Sequence, residues 1–271
     1  MIKIEPNKEY HASAPLSKSR LWEMRRSPQW FKYKEKHRDE VKTDALLTGS
    51  AFHKLVLEPD GFCDEFVVLP EDIDRRTKDG KAAYKVFLDA NAGKDILTPD
   101  MYFLASEMAQ AVSENRKAAF LTKGDVEQSY YFTDEQTGIE CKVRPDCFKV
   151  IDGHGFIIDL KSCRSAEPDE FMRDAIKLGY DLQAAMYKTG VEKERGIKCD
   201  FVFVAVEKDP PHLINIMQCD DLLITRGMDL LREYLGLYKH CTETGNWFGL
   251  NGEYDILNNL SLPKWLAKEI E

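Results

Sequence analysis

From residue 126 onward the spacing of apolar residues changes from a helical period to a period of two, and this change constrains the fold more than any other feature of the chain. Segments 127–133, 139–150, 155–160 and 201–206 read as strands, separated by turn-forming runs at 134–138 and 152–155. Between the last two strands, 169–194 has helical spacing, and a long amphipathic helix is expected from Asp220 to about Cys241. Upstream the pattern is helical. Ser17 and Ser27-Pro28 supply helix starts, because a serine hydroxyl accepts from the free N–H groups of a first turn. Thr48-Gly49-Ser50 precedes an apolar helix over 51–57 that presents His53, and further helices are expected near 82–90 and 99–115. The polar run 69–80, with Arg75, Arg76 and Lys78, reads as a mobile loop. The expected architecture is α/β, a central mixed β-sheet flanked by helices with an N-terminal helical elaboration. A single domain over 1–271 is expected, helical to about 125 and sheet-bearing from about 126.

Two of the strands carry charge in an apolar setting. Arg144-Pro145-Asp146 lies on one and Asp159-Leu160-Lys161 on the next, whose other residues include Phe156, Ile157 and Ile158. With Gly153-His154 as a two-residue hairpin loop, Asp146 faces Lys161. Side chains alternate along a strand, so Asp159 and Lys161 share a face, and the pairing brings Asp146 to it. One more loop residue would carry Asp146 to the opposite face. Charged groups on such a strand need a partner or a metal to offset desolvation. Two carboxylates and a lysine suit phosphodiester hydrolysis, with Asp146 and Asp159 as hard oxygen ligands for Mg²⁺. Lys161 would orient or deprotonate the attacking water and neutralise developing charge. Leu160 would point into the core while its carbonyl completes the coordination. The bland alternative is a strand pair held by Asp–Lys attraction.

A net charge of −9 argues on average against nucleic acid, whose binding is driven by Lys and Arg. Between Lys18 and Arg38, however, eight Lys/Arg stand against two acids, Glu23 and Glu35. That stretch is a candidate phosphate-facing surface, or an ordinary solvated helix face. The seven cysteines have no Cys-x-x-Cys spacing and read as reduced, mostly structural thiols. No apolar run reaches the ~18 residues a membrane span needs. The N-terminus lacks a signal-peptide layout, so a cytosolic location without a membrane partner is expected.

Gln183 and Tyr187 lie four apart on a predicted helix and share a face. In order, His53 on a helix, Pro145-Asp146 on a strand, Asp159-x-Lys161 on the next and Gln183-x-x-x-Tyr187 on a following helix resemble the PD-(D/E)xK nucleases of the RecB-like branch. That resemblance implies a restriction-endonuclease-like core. Tyr10-His11, Leu16-Ser17-Lys18-Ser19, Ser27-Pro28, Gly49–His53, Leu57-Glu58-Pro59, 91–98 and 260–265 extend it over nearly the whole chain, to the C-terminal nuclease domain of the exonuclease VIII (RecE) family.

This resemblance implies an exodeoxyribonuclease acting on linear double-stranded DNA ends, 5′→3′ and processively. It implies dependence on Mg²⁺, replaceable by Mn²⁺, with two ions per site. The 3′ single-stranded tails would serve phage-type recombination by a RecT-like annealing protein. A homo-oligomeric ring of three or four subunits is implied, in which basic residues line a channel and acidic ones cover the outside. His53, Asp146 and Asp159 match the family's metal positions, Lys161 its catalytic lysine, and Gln183 and Tyr187 its DNA-lining helix. The more distant lambda-type exonuclease has a glutamate where His53 stands and a serine resembling Ser19 near the 5′-phosphate. Ser19 is therefore either a phosphate-pocket residue or a plain helix cap. Arg144 is a second phosphate candidate or a cross-strand salt bridge. Glu127 either supports the site or is a solvated carboxylate. The Arg75-Arg76 loop and 209–212 look individual, which bears on end preference. The competing classes are a non-catalytic DNA-end-binding protein and a structure-specific endonuclease.

Overall fold

A computed structural model describes residues 1–37 and 42–261; Arg38 and the 262–265 part of the C-terminal segment singled out above lie outside them. The helices are α1 (Asn7–Ala12), α2 (Lys18–Trp22), α3 (Pro28–Lys36), α4 (Asp44–Leu57), α5 (Phe62–Glu65), α6 (Lys78–Ala90), α7 (Pro99–Glu114), α8 (Arg116–Leu121), α9 (Pro168–Leu178), α10 (Tyr180–Arg195) and α11 (Asp221–Thr244). The strands are β1 (Ile2–Lys3), β2 (Phe66–Val68), β3 (Asp95–Leu97), β4 (Asp125–Val126), β5 (Ser129–Thr133), β6 (Glu140–Val143), β7 (Cys147–Ile151), β8 (His154–Cys163), β9 (Cys199–Glu207) and β10 (Ile214–Gln218).

The fold is the expected α/β arrangement. A five-stranded sheet in the order β10-β9-β8-β7-β4 is mixed, parallel between β8 and β9 and antiparallel elsewhere. Alternation along β8 and β9 builds two cores. Ile157, Phe201, Phe203 and Ala205 pack with Leu182 and Met186 of α10 and Leu231 of α11. Ile158, Leu160, Val202, Val204 and Val206 pack on the other side with Phe52 of α4 and Met101 and Met108 of α7. Both faces of the central strands are thus covered, which is why they are almost continuously apolar. The seven cysteines are free, four of them buried. No helix among the described residues is long and apolar enough to cross a membrane.

Several expectations are corrected. The hairpin turns at Asp152-Gly153, not Gly153-His154; both residues have positive φ (50° and 82°), which the Asp-Gly pair tolerates best. Cys147 then pairs with Ile158, so one step further Asp146 falls opposite Asp159 rather than Lys161. The predicted strand 139–150 is two strands in two sheets, because β6 joins β5 and β1 in a separate three-stranded sheet. Pro145 lacks the N–H that a continuing ladder would need, and the chain changes sheets there. Likewise 127–133 is interrupted: Glu127, at φ 49°, separates β4 of one sheet from β5 of the other. The helical region 169–194 breaks at Gly179, at φ 67°, where a Cβ would lie 2.7 Å from the Trp22 ring. Finally, the helix bearing His53 begins before Thr48, with Thr43 as its cap accepting from Leu46 N–H at 3.3 Å. The polar run 69–80 ends in α6, capped by Thr77.

Candidate active site

The two changes of sheet occur side by side: Glu127 N–H donates to Asp146 O at 3.2 Å. This seam is where the charged residues gather. Asp146, freed from the ladder by Pro145, accepts at Oδ2 from Leu160 N–H at 2.6 Å and meets His53 Nδ1 of α4 at 3.4 Å through Oδ1. Leu160 is fully buried, so one residue anchors the strand to the core and holds the carboxylate. Asp159, 2% exposed, faces α10, from which Gln183 Nε2 donates to its Oδ1. Its Oδ2 is buried, in ion-pair contact with Lys161 Nζ at 2.5 Å.

The charges are strongly perturbed. Burial and the Asp146 carboxylate raise the Asp159 pKa, although Lys161 pulls it down. For Asp146, burial raises the pKa but His53 outweighs it, and the net shift is downward. Burial works against charge on His53 and Lys161, yet the neighbouring carboxylates win and both are raised. Glu127 is pushed up to about 8 by burial and by Asp146. Such opposed shifts, concentrated in one cleft, are typical of functional sites.

A cleft of about 650 Å³ opens over this cluster, lined among others by His53, Glu127, Arg144, Lys161 and Tyr187. Three sequence candidates sit differently from expectation. Arg144 lines the cleft, but its guanidinium donates to Ser129 Oγ (2.9 and 2.7 Å) and Glu5 O (2.9 Å) and lies 4.4 Å over the Tyr10 ring. Its Nε is 4.0 Å from Glu127 Oε2, so Arg144 braces the seam and Glu127 shares in that bracing. Gln183 is buried on Asp159 instead of facing an open surface. Ser19 lies outside the cleft; its Oγ meets Ser17 Oγ at 3.1 Å, and it lines a second cavity of about 240 Å³ that shares His11 with the first.

Two residues were not singled out for this cleft by the sequence. Tyr180 begins α10 and its ring lies 4.8 Å from Lys161 Nζ; it precedes Gln183 by three and Tyr187 by seven, a same-face spacing that was visible. Lys18 approaches the same ring at 5.7 Å from α2, and burial with the Lys161 charge brings it down to about 7. Only tertiary packing brings it there.

Among the described residues no group of three or more His, Cys, Asp or Glu side chains is arranged to hold a metal ion. His53 and Lys161 instead form ion pairs with Asp146 and Asp159. The donor set nevertheless fits a hard divalent ion, since it offers two adjoining carboxylates with the His53 ring nitrogen beside one of them.

A mixed sheet with paired carboxylates and a lysine at the end of adjacent strands defines the PD-(D/E)xK superfamily. The chain belongs within it to a family of PDDEXK-like domains of unknown function, whose model matches residues 17–259. A solved structure named "Putative exonuclease", from Eubacterium rectale, shares the fold, with a TM-score of 0.64 at 16% identity over 96% of this chain and 97% of that one. A second, SSO0001, aligns with a TM-score of 0.38 at 11% identity over 83% and 81% of the two chains, too distant to carry an argument. No curated protein matches the sequence.

Proposed function

We propose that this protein is a divalent-metal-dependent nuclease that hydrolyses linear double-stranded DNA from its ends. The observation that carries the reading is the convergence of Asp146, Asp159 and Lys161 beside an open cleft that His53 and Lys161 line, with Gln183 fixing Asp159 from behind. His53, Asp146 and Asp159, with the Leu160 carbonyl, would hold Mg²⁺ or Mn²⁺, in the number of ions the resemblance implies. When bound, the metal supplies charge stabilisation at the phosphorus oxygens.

The protein's own side chains do the remaining work. Asp159 holds Lys161 cationic, so the ammonium neutralises charge developing on the phosphate and positions it. Tyr180 and Tyr187 border the cleft and offer ring surface to the substrate. Burial keeps the Tyr187 hydroxyl protonated and able to donate a hydrogen bond. Arg144 and Glu127 hold the seam between the two sheets so that Asp146 stays in register with Asp159.

The finer reading is a RecE-type exonuclease: processive 5′→3′ digestion by a homo-oligomeric ring, leaving 3′ tails for a RecT-like annealing protein. It is supported by the shared order of motifs and the flanking segments named above. Linear duplex labelled at either end, with and without a 5′-phosphate, is incubated with Mg²⁺ and the intact protein, Asp159→Ala or Lys161→Ala. Release of 5′ label by the intact protein alone is expected. Undiminished DNA binding with no digestion by the intact protein would leave a DNA-end-binding protein instead. Rapid cutting of covalently closed circles would make it an endonuclease.

A further inference from the structure

Helix α3 carries an aromatic column that its own packing does not explain. Trp30, Tyr33 and His37, the last at the helix C-cap, follow one another at spacings of three and four and so share a face. Trp30 and Tyr33 lie 5.7 Å apart and 23° from parallel, Tyr33 and His37 4.2 Å apart and 20° from parallel. The Arg26 guanidinium sits 3.9 Å over the Trp30 ring, and Lys34 Nζ is 5.6 Å from it. The indole N–H is pinned to Glu23 at 2.6 Å, which fixes the foot of the column. The helix is held to the core by other residues: Phe31 is buried and stacks on Trp247 at 5.7 Å, whereas Tyr33 is 51% exposed. No ring continues the column beyond His37 among the described residues.

The column ends beside the second cavity. His37, Lys34 and Ser19 line that cavity of about 240 Å³, and His11 lines both it and the catalytic cleft. The second cavity, with His37 in its lining, therefore adjoins the cleft at His11. Flat rings interleaved with cations select a ligand that is flat, π-faced and anionic along its length. A nucleic acid strand has these properties, but a duplex uses its base faces in its own stack. Only a single strand offers them to a protein.

We propose that the Trp30–Tyr33–His37 column is a stacking subsite for single-stranded DNA, where a base lies on His37 and the adjoining phosphate faces Lys34. This extends the nuclease reading to the strand that is not in the site, but its test does not depend on hydrolysis. The full-length protein in EDTA is titrated against a fluorescent dT 15-mer and a chain of the same length made of abasic deoxyribose phosphate. Stacking is worth roughly 1–3 kcal/mol per base, or about five- to a hundredfold in affinity. The intact protein should prefer dT by that factor, and Tyr33→Ala/His37→Ala should lose the preference while binding the abasic chain unchanged. His37→Phe should keep it and His37→Lys should lose it. Equal binding of dT and abasic chains by the intact protein, or rescue by His37→Lys as good as by His37→Phe, overturns the proposal. Far-UV circular dichroism and thermal midpoints of the variants report whether α3 is intact. A protein that fails to digest DNA but still prefers dT loses the nuclease reading and keeps this one.

Discussion

Asp159→Asn separates a carboxylate kept for a metal from one kept for structure. Asp159 is 2% exposed, and burial together with Asp146 raises its pKa even though Lys161 attracts the charge. A raised carboxyl pKa means that the folded chain holds the proton more tightly than the unfolded one. Stability is therefore lost as pH rises from the unfolded value of about 3.9 through the folded value, and the deficit is complete at neutral pH above both. Each tenfold change in proton affinity is worth about 1.4 kcal/mol. Asparagine keeps an oxygen for Gln183 and removes the charge, while Lys161, still 18% exposed, retains the Asp146 field. The ion-free variant should melt within about 2 °C of the parent or above it. Breaking a buried pair that the fold requires costs about 3–5 kcal/mol. At about 2–3 °C per kcal/mol for a chain of this size, that is a drop of roughly 6–15 °C. Mg²⁺ at a hundred times its Kd should stabilise the parent by about 2.7 kcal/mol and the variant not at all. Thermal melts at pH 7, with and without Mg²⁺, read both quantities. A fall of more than about 6 °C in the ion-free variant, or a retained Mg²⁺ response, refutes the reasoning.

Gln183→Leu removes the donor on Asp159 Oδ1 and should weaken Mg²⁺ binding ~10–100-fold, read as a higher Mg²⁺ concentration for half-maximal thermal stabilisation. An unchanged midpoint would reduce Gln183 to packing. Asp134→Ala loses hydrogen bonds from Thr137 N–H (3.0 Å) and Oγ1 (2.7 Å) and the pair with Arg232, at a cost of about 2–4 kcal/mol in urea unfolding. Burial raises the Asp134 pKa, but Thr137 and Arg232 outweigh it and the net shift is downward. Its stabilisation is complete above the unfolded value of about 3.9 and fades as pH falls through the folded one, so parent and variant should converge toward pH 3. A constant difference down to that pH would contradict this. Gly190→Ala places a Cβ 2.6 Å from the Phe132 ring and 3.0 Å from Val143. Overpacking of about 1–3 kcal/mol should exceed the ~1 kcal/mol gain in helix propensity, and the melting midpoint should fall.

The sequence made the charged face of β8 legible because Asp159 and Lys161 interrupt an apolar strand, and such interruptions need partners. The turn was misplaced by one position, yet the cluster survived. Moving a two-residue loop by one position moves the pairing by two, so every side chain stays on its face and only the partner of Asp146 changes, from Lys161 to Asp159. The split at Pro145 was also present in the sequence, as a missing donor in the middle of a predicted strand. What hid it is that alternation continues across the break as far as Cys147, while the two halves of 139–150 pair with different sheets. The break at Gly179 hid Tyr180 in the same way, since a continuous helix would not single out its first residue. The surroundings of Arg144 and Ser19 were illegible for a different reason. Their partners, Ser129, Glu5 and Tyr10 for one and the second cavity for the other, are brought together only by the meeting of the two sheets with α1 and α2.

On the proposed nuclease reading, the placement of positive charge would account for how a chain of net charge −9 engages a polyanion. In the cleft the three central cations are matched: Lys161 by Asp159, His53 by Asp146 and Arg144 by Glu5. Such pairs present dipoles, whose fields fall off faster than that of a free charge, so the cleft itself draws DNA weakly from a distance. On α2, α3 and the turn between them the pairing is of another kind. Arg25 lies over Trp22, Arg26 over Trp30 and Lys32 over Trp247, at 4.5, 3.9 and 4.6 Å. The two acids of that stretch are engaged locally, Glu35 with Arg20 and Glu23 with the Trp30 indole. An aromatic ring orients a cation without cancelling its charge. Positive potential therefore persists on this surface, next to a cleft whose own charges are spent on one another. The proposed function then assigns capture and chemistry to different residues: the salt dependence of DNA binding should follow α2 and α3, and hydrolysis should follow β8.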